Sequence, residues 1–435
     1  MIEKSYVDSG ENQIHHSDTT EGSGEPNSDS HVTLTDPDVY ECPFPVYEKL
    51  YDEQPVYRDP KSGNYILTRY DDVRKALLNV GVLSSNTGLL GELGWDQKAS
   101  DLFAAQGWLP MNTLVSNDPP GHRTYRSLLD KVFTAKKVAS LESRVQEIID
   151  ELIDAFSDEP EIDFFDAFAA PLPMYVIAEQ LGVAREDRAD FKRWSAAAME
   201  SMQPLLTPQR QVELACEFVD MQQYMARAIE RVRATPDDRL ISRLANTETE
   251  GRLLDMRELQ SLILQILVAG NETTTTTLAS GMSMLLERPE LAEEIRVNPD
   301  SVRPFIEETL RVAAPLQTLF RRVTTEVALH GVTIPVGSIV EVRFGAANRD
   351  PRKFPCPADV DLERKNSASH MSFGAGIHMC VGNQLARAEL RLAFQTLVRR
   401  LDGMRPSRGA DSVRLQRSYT TYGPNQLWMS FDLRR

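Results

Sequence analysis

The chain has 435 residues, 41% hydrophobic and 26% charged, which is the composition of a globular protein able to bury a large core. A net charge of −16 and a pI near 5.0 argue against nucleic acid, which needs a basic face. Four scattered cysteines make no disulfide framework, and no apolar leader or membrane-length apolar run is present, so the sequence reads as cytoplasmic and free of the membrane.

Residues 1–30 are rich in Ser, Gly, Asp, Glu and Asn and read as a disordered tail ahead of a single domain over 31–435. "PVYRDPKSGNYILTRY" reads as two short strands around a Lys61-Ser62-Gly63 turn. From Tyr70 the pattern turns helical. Apolar residues recur at helical spacing over Lys136–Phe156, Met174–Leu181 and Val212–Val232. Gly81 to Pro110 breaks the trend: Leu89, Leu90, Leu93 and Trp108 lie in a long, apolar, irregular stretch of the kind that lines a site. In "DPPGHRTYR", His122 and Arg126 share one face of a helix opened by Pro119 and Pro120.

The segment from Asp255 to Glu290 has no proline before Pro289 and predicts a helix of about 33 residues, near 50 Å long. Its centre is unusual, with Ala269, Gly270, Asn271 and Glu272 followed by five threonines, Thr273 to Thr277. Glycine and β-branched residues weaken a helix interior, and a kink there would open a groove. Glu308 and Arg311 stand at i,i+3, which on its own is an ordinary surface ion pair. Val327 to Val342 reads as short strands turned at Gly331 and Pro335-Val336-Gly337. The whole is mainly α, a helix-dominated α+β fold with small sheets.

The fourth cysteine, Cys380, sits in "FGAGIHMCVG", just ahead of a helix that starts at about Asn383. The helix dipole and the glycines at 374, 376 and 382 favour a charged sulfur and lower its basicity. Three readings fit a thiol there: a packed, inert cysteine, a nucleophile with His378 as base, or a metal ligand.

The string Phe373, Gly376, His378, Cys380, Gly382 matches Phe-x-x-Gly-x-(Arg/His)-x-Cys-x-Gly without a gap. It resembles the haem-binding loop of the cytochrome P450 family, of the soluble bacterial type. The resemblance covers roughly residues 40 to 430 and implies a helix-rich triangular prism, with haem b between the long central helix and the cysteine loop. It makes Cys380 the thiolate ligand of the haem iron, with Phe373 against the sulfur. It sets Ala269 against the haem and gives His122, Arg126, Arg321 and His378 to the propionates, Arg322 being the alternative to Arg321. "AGNETT" is similar to the family's Ala-Gly-x-(Asp/Glu)-Thr segment, so Glu272 and Thr273 would form the proton-delivery pair for O2. Glu308 and Arg311 match the family's structural Glu-x-x-Arg pair, with Arg364 as third partner.

The implied activity is that of a monooxygenase that hydroxylates or otherwise oxidises a small apolar compound. Electrons would come from NAD(P)H through ferredoxin reductase and ferredoxin, to a protein expected to be a monomer. A peroxide-driven peroxygenase and a haem-based sensor are the alternatives. Val268, Ala314, Leu316 and Tyr422 join the loop residues as substrate-pocket candidates, although the C-terminal "RSYTTYGPNQLWMSF" departs from the family's loop there.

Overall fold

One long helix, apolar on nearly every side, organises the fold. The computed structural model describes residues 33–40, 42–87, 95–201 and 206–434, and Thr33–Arg435 form one compact unit. The helix Met256–Glu287 runs for 32 residues, about 48 Å. Asp255 starts it with a capping box: its carboxylate accepts from Glu258 N at 2.8 Å, while Glu258 accepts from Asp255 N at 2.9 Å. Arg288 ends it by leaving the helical conformation, as expected before Pro289. Its first half is buried among Trp194, Phe218 and Leu244, and its second half among Phe305, Phe394 and Leu397. A helix clad on all faces belongs in the middle of a large core.

Helices Ala135–Phe156, Pro171–Gln180, Pro208–Ala234 and Asn383–Arg400 follow the apolar periodicity of their sequences. The five-stranded sheet has the order Val56–Arg58, Tyr65–Leu67, Ile339–Arg343, Thr318–Val323, Leu83–Ser84. Its central pair sets Arg321 opposite Val340 and Arg322 opposite Ile339. Adjacent residues of a strand face opposite sides, so that register sends the two arginines apart. A second sheet joins Val413–Leu415, Pro424–Leu433 and Ile162–Asp163, with Leu401–Pro406 also paired to Pro424–Leu433. Val327–Leu329 and Val332–Ile334 form the expected hairpin, with Gly331 at φ +80°.

Two expectations change. The stretch from Gly81 to Pro110 is not wholly irregular: Gln97–Gln106 is a helix, capped by Asp96 accepting from Lys98 N. Its Phe103 is fully buried against Trp95 and Phe218, so this part fills core rather than lining a site. Leu89, Leu90 and Leu93 lie outside the described residues. The threonine run does not interrupt the long helix either. Thr273 and Thr277 donate their hydroxyls to the carbonyls of Ala269 and Thr273, at 3.0 and 2.7 Å, and the helix continues through them.

Candidate active site

The cysteine loop is built on two left-handed glycines, Gly374 at φ +68° and Gly376 at φ +70°. A side chain at Gly376 would also crowd Leu77 O, 3.1 Å from the Cβ position. The turn brings Cys380 N to Phe373 O at 2.8 Å, and Gly382 leads into the helix Asn383–Arg400. Arg126, on the helix Gly121–Val132, fastens the loop by donating Nη1 to Met379 O at 2.5 Å and Ile377 O at 3.2 Å. The sulfur departs from expectation. Burial pushes the Cys380 thiol up and outweighs the opposing pull of the Gly382 N–H and of Arg126 and Arg387. A cation bound at the sulfur would oppose that rise and favour the thiolate. Among the described residues no group of three His, Cys, Asp or Glu side chains could hold a metal ion. A single thiol suits a metal that arrives held by its own macrocycle.

Above this loop three basic side chains converge. His122 is buried, its ring centroid 4.4 Å from that of His378. His378 Nε2 lies 3.0 Å from Ser85 Oγ and 3.9 Å from Asp118 Oδ1. Asp118 itself accepts from Ser85 N at 3.0 Å and from the Ser84 hydroxyl. Arg321 is buried while Arg322 is exposed, as their opposite facing in the strand requires. Among the described residues the buried Nε2 of His122 and Nε of Arg321 have no hydrogen-bond partner. Burial first, then Arg126, pushes His122 down, and burial first, then His122, pushes His378 down to about 3. Arg321 is pushed down to about 10 by burial, opposed by Asp118. Buried donors without partners are costly, so this cluster has the chemistry of a carboxylate-binding site.

Midway along its length, the long helix loses its cover. Ala269 and Gly270 are exposed, between the buried runs Glu258–Val268 and Thr274–Met282. Residues without large side chains leave flat backbone there, a surface on which a planar group can lie. Next to it Glu272 Oε1 accepts from Gln416 Nε2 at 2.9 Å, and burial raises its carboxyl above the usual range against that hydrogen bond. The buried, unpartnered nitrogens of His122 and Arg321, the bared helix and the lone thiol therefore all fit haem.

Beneath the loop, Arg311 and Glu308 are fully buried and paired, and Arg364 Nε reaches Glu308 Oε2 at 3.1 Å. Phe373 is held between His370 and Arg387, whose guanidinium lies 4.4 Å from the ring centroid. Burial opposes the charge on Glu307, but hydrogen bonds from Arg387 and His370 outweigh it and hold the carboxyl at about 2.

The pocket candidates divide. Val268 is buried in the core beside the bared helix segment. Ala314 is buried at φ +47°, and Leu316 forms a β-bridge with Thr421. Trp108 is tied by its backbone to Gln222, at 2.8 and 2.7 Å. Tyr422 packs edge-to-face on Phe44, 5.0 Å between centroids, within the N-terminal core. Sequence reasoning did not single out Asp118, Ser85 or Gln416. Asp118 opens the quoted "DPPGHRTYR" segment without any role read for it there, and Ser85 and Gln416 are single polar residues with no local signal.

A long central helix bared at Ala269 and Gly270, a loop carrying a single buried thiol and a buried basic cluster have together the features expected of a haem protein with a cysteine ligand. The family model "Cytochrome P450" matches residues 95–412, and the chain belongs to the cytochrome P450 family. It is similar to the cytochrome P450 monooxygenase PikC of Streptomyces venezuelae, at 35% identity over 82% of this chain and 83% of that one. It is similar also to the 6-deoxyerythronolide B hydroxylase of Saccharopolyspora erythraea, at 32% over 89% and 96%. Among solved structures, CYP109E1 from Bacillus megaterium in complex with corticosterone has a TM-score of 0.79 at 29% identity, covering 90% of this chain and 99% of that one. The protein is accordingly a cytochrome P450 monooxygenase, an oxidoreductase that uses haem iron and O2. No helix among the described residues is long and apolar enough to cross a membrane.

Proposed function

We propose that the protein hydroxylates a small hydrophobic compound, taking electrons from NAD(P)H through ferredoxin reductase and ferredoxin, as a cytoplasmic monomer. The observation that carries the site assignment is the pair of buried, unpartnered donors His122 Nε2 and Arg321 Nε, set beside His378 above the cysteine loop. Those three side chains would hold the haem carboxylates, and Arg126 would brace the loop that carries Cys380 while adding positive charge beside it. Bound haem, through Cys380, supplies the redox chemistry that activates dioxygen. Glu272 and Thr273 would store and pass protons, with Ala269 and Gly270 leaving the room to do so. Glu308, Arg311 and Arg364 would keep the loop's underside rigid.

The substrate class rests on the apolar surroundings of Val268 and Leu316 and on the relatives. The CYP109E1 structure holds corticosterone, which supports a steroid-sized apolar compound here. The test combines two measurements. Testosterone, corticosterone, lauric acid and simple aromatics are titrated into the ferric protein for a low-to-high-spin Soret shift. Binders are then incubated with NADPH and a surrogate ferredoxin system. An oxygenated product that needs NADPH is expected. Product formed from peroxide alone, with none from NADPH, overturns the electron-transfer reading.

The ligand assignment is tested separately. Cys380→His is expected to abolish the long-wavelength Soret band of the reduced, CO-treated protein, while Ser at the exposed Cys42, Cys216 and Cys356 preserves it. Retention of the band in Cys380→His rejects the assignment.

A further inference from the structure

The acid of the proposed proton pair is gripped by a residue far away in sequence. Gln416 Nε2 donates to Glu272 Oε1 at 2.9 Å. Among the described residues, burial and this one amide set the Glu272 carboxyl. Gln416 is itself fixed, its backbone N bonded to Gly423 O at 3.0 Å. Gly423 lies so close to the long helix that a methyl group in place of its hydrogen would collide with Thr276 and Ser280. Residues 416–423 therefore form a closed loop pressed onto the helix one turn beyond the acid.

The far side of the same loop is tied to the segment after the helix Val302–Ala313. Gln317 N donates to Thr420 O at 2.7 Å, Tyr422 N donates to Pro315 O at 3.1 Å, and Leu316 bridges Thr421. That segment begins at Ala314, a buried non-glycine residue at φ +47°, a conformation held only by its surroundings. Gln317 in turn donates its side-chain amide to Ala313 O and Ala314 O, at 3.1 and 2.7 Å. The loop is thus a clasp between the apolar segment 314–317 and the acid.

We propose that Gln416 is a positioning residue that fixes which oxygen of Glu272 carries the proton and ties that proton to the seating of the C-terminal loop. When the carboxyl holds its proton, an amide N–H on Oε1 makes Oε1 the carbonyl oxygen and leaves Oε2 as the hydroxyl. The proton is then held on Oε2, and the acid does not rotate freely between two equivalent states. An apolar molecule pressed against Ala314 and Leu316 bears on the loop, and through it on the proton-bearing group. Substrate seating and proton release are in this way linked by contiguous hydrogen bonds rather than by distance alone.

This inference rests on the reading of Glu272 as a proton source, and the experiment separates the two. Holoprotein is compared as wild type, Glu272→Gln, Gln416→Met and Gln416→Asn. The infrared band lost in Glu272→Gln is the carbonyl stretch of the neutral Glu272 carboxyl. Gln416→Met keeps the side-chain length and removes the donor, and is expected to shift that band to higher wavenumber with haem content unchanged. Gln416→Asn shortens the donor and is expected to give the same upward shift.

The second readout is the fraction of NADPH electrons recovered as peroxide with a surrogate ferredoxin system and no added substrate. Gln416→Met is expected to raise the peroxide-to-water ratio about fivefold, the equivalent of a ~1 kcal/mol hydrogen bond. An unmoved band in a folded Gln416 variant overturns the proposal. A changed ratio in Glu272→Gln with none in Gln416→Met overturns it as well, leaving the acid's role intact. An unchanged ratio in Glu272→Gln overturns the role of the acid and this proposal with it.

Discussion

Glu308 and Arg311, less than one helical turn apart, form a two-pronged ion pair with Nε to Oε1 at 2.7 Å and Nη2 to Oε2 at 2.8 Å, and neither side chain touches solvent. Arg311 also donates to three carbonyls, those of Asn348, Pro357 and Asp359, at 3.1, 2.6 and 2.7 Å. Glu308 accepts in addition from Asp361 N at 2.9 Å and from Arg364. The pair therefore knits the helix Val302–Ala313 to the irregular chain 348–364 that leads into the cysteine loop.

Removing one member leaves an uncompensated buried charge and several stranded carbonyls. Arg311→Lys keeps the charge but loses the planar fork. Removing the guanidinium outright, as in Arg311→Ala, is expected to cost about 3–5 kcal/mol, and Arg311→Lys less. Urea unfolding and the haem-to-protein ratio measure it, and both are expected to fall. Stability equal to wild type would refute the structural role given to this pair.

A second expectation concerns oxygen activation. Thr273 donates its hydroxyl to Ala269 O at 3.0 Å, beside the bared part of the helix. Thr273→Ala removes the hydroxyl without disturbing the buried faces of that helix. Haem content and ligand-induced spin shift should hold, while more of the NADPH consumed appears as peroxide. Undiminished coupling in this variant would remove Thr273 from proton delivery.

The pair at Glu308 and the thiol at Cys380 show how far sequence carries. Helix limits were legible because apolar periodicity and caps are local, as with Asp255 and Glu258. The pairing of Glu308 with Arg311 was legible as spacing, but its complete burial was not, because burial depends on the chain from 348 to 364 folding over it. The Arg321 and Arg322 alternatives needed the register against Ile339–Arg343. The direction of the Cys380 shift is not legible in a local window. The local dipole and glycines were visible in the sequence, while the desolvation that outweighs them comes from the whole fold. Gln416 lies 144 residues from Glu272, and nothing in a local window could join them.

A third expectation concerns pH. Glu389, on the helix Asn383–Arg400, is buried, and its Oε2 has no partner among the described residues. Burial pushes its carboxyl up to about 8. Below about pH 4.5 both folded and unfolded states hold the proton, and Glu389 leaves stability unchanged with pH. Between about 4.5 and 8 only the folded state keeps it, so stability falls as pH rises, by a few kcal/mol in all. Above about 8 the loss levels off. Glu389→Gln should abolish this slope, and its melting temperature should gain on wild type steadily from pH 5 to pH 8. Parallel curves for the two proteins would show that Glu389 is ionised in the folded state.

The last expectation concerns the electron donor. The protein carries −16 overall, which sets a repulsive background for an acidic ferredoxin. Around the cysteine loop several of the local cations are already spent on carboxylates. Arg387 pairs with Glu307, Arg391 with Glu142, and Arg352 with Asp350 and Asp52. Arg123 and Lys131 are different. Both are exposed, and neither makes a carboxylate ion pair among the described residues; Lys131 donates only to Glu248 O, at 3.3 Å. They lie on the helix Gly121–Val132, which Arg126 fastens to the loop at Ile377 and Met379. Those two apolar side chains are themselves 39% and 44% exposed, so an apolar spot on the cysteine loop lies beside unpaired positive charge. Such a surface orients an acidic partner over the loop and raises the encounter rate, with a loss that steepens at high salt. Arg123→Glu and Lys131→Glu should each slow reduction by a surrogate ferredoxin several-fold at low ionic strength and converge on wild type near 0.5 M salt. Affinity for an apolar ligand, read from the Soret shift, should stay the same because neither residue is near Ala269 or Val268 in the sequence or on the same element. Stopped-flow reduction rates that ignore both the charge reversals and the salt would exclude this face as the docking site.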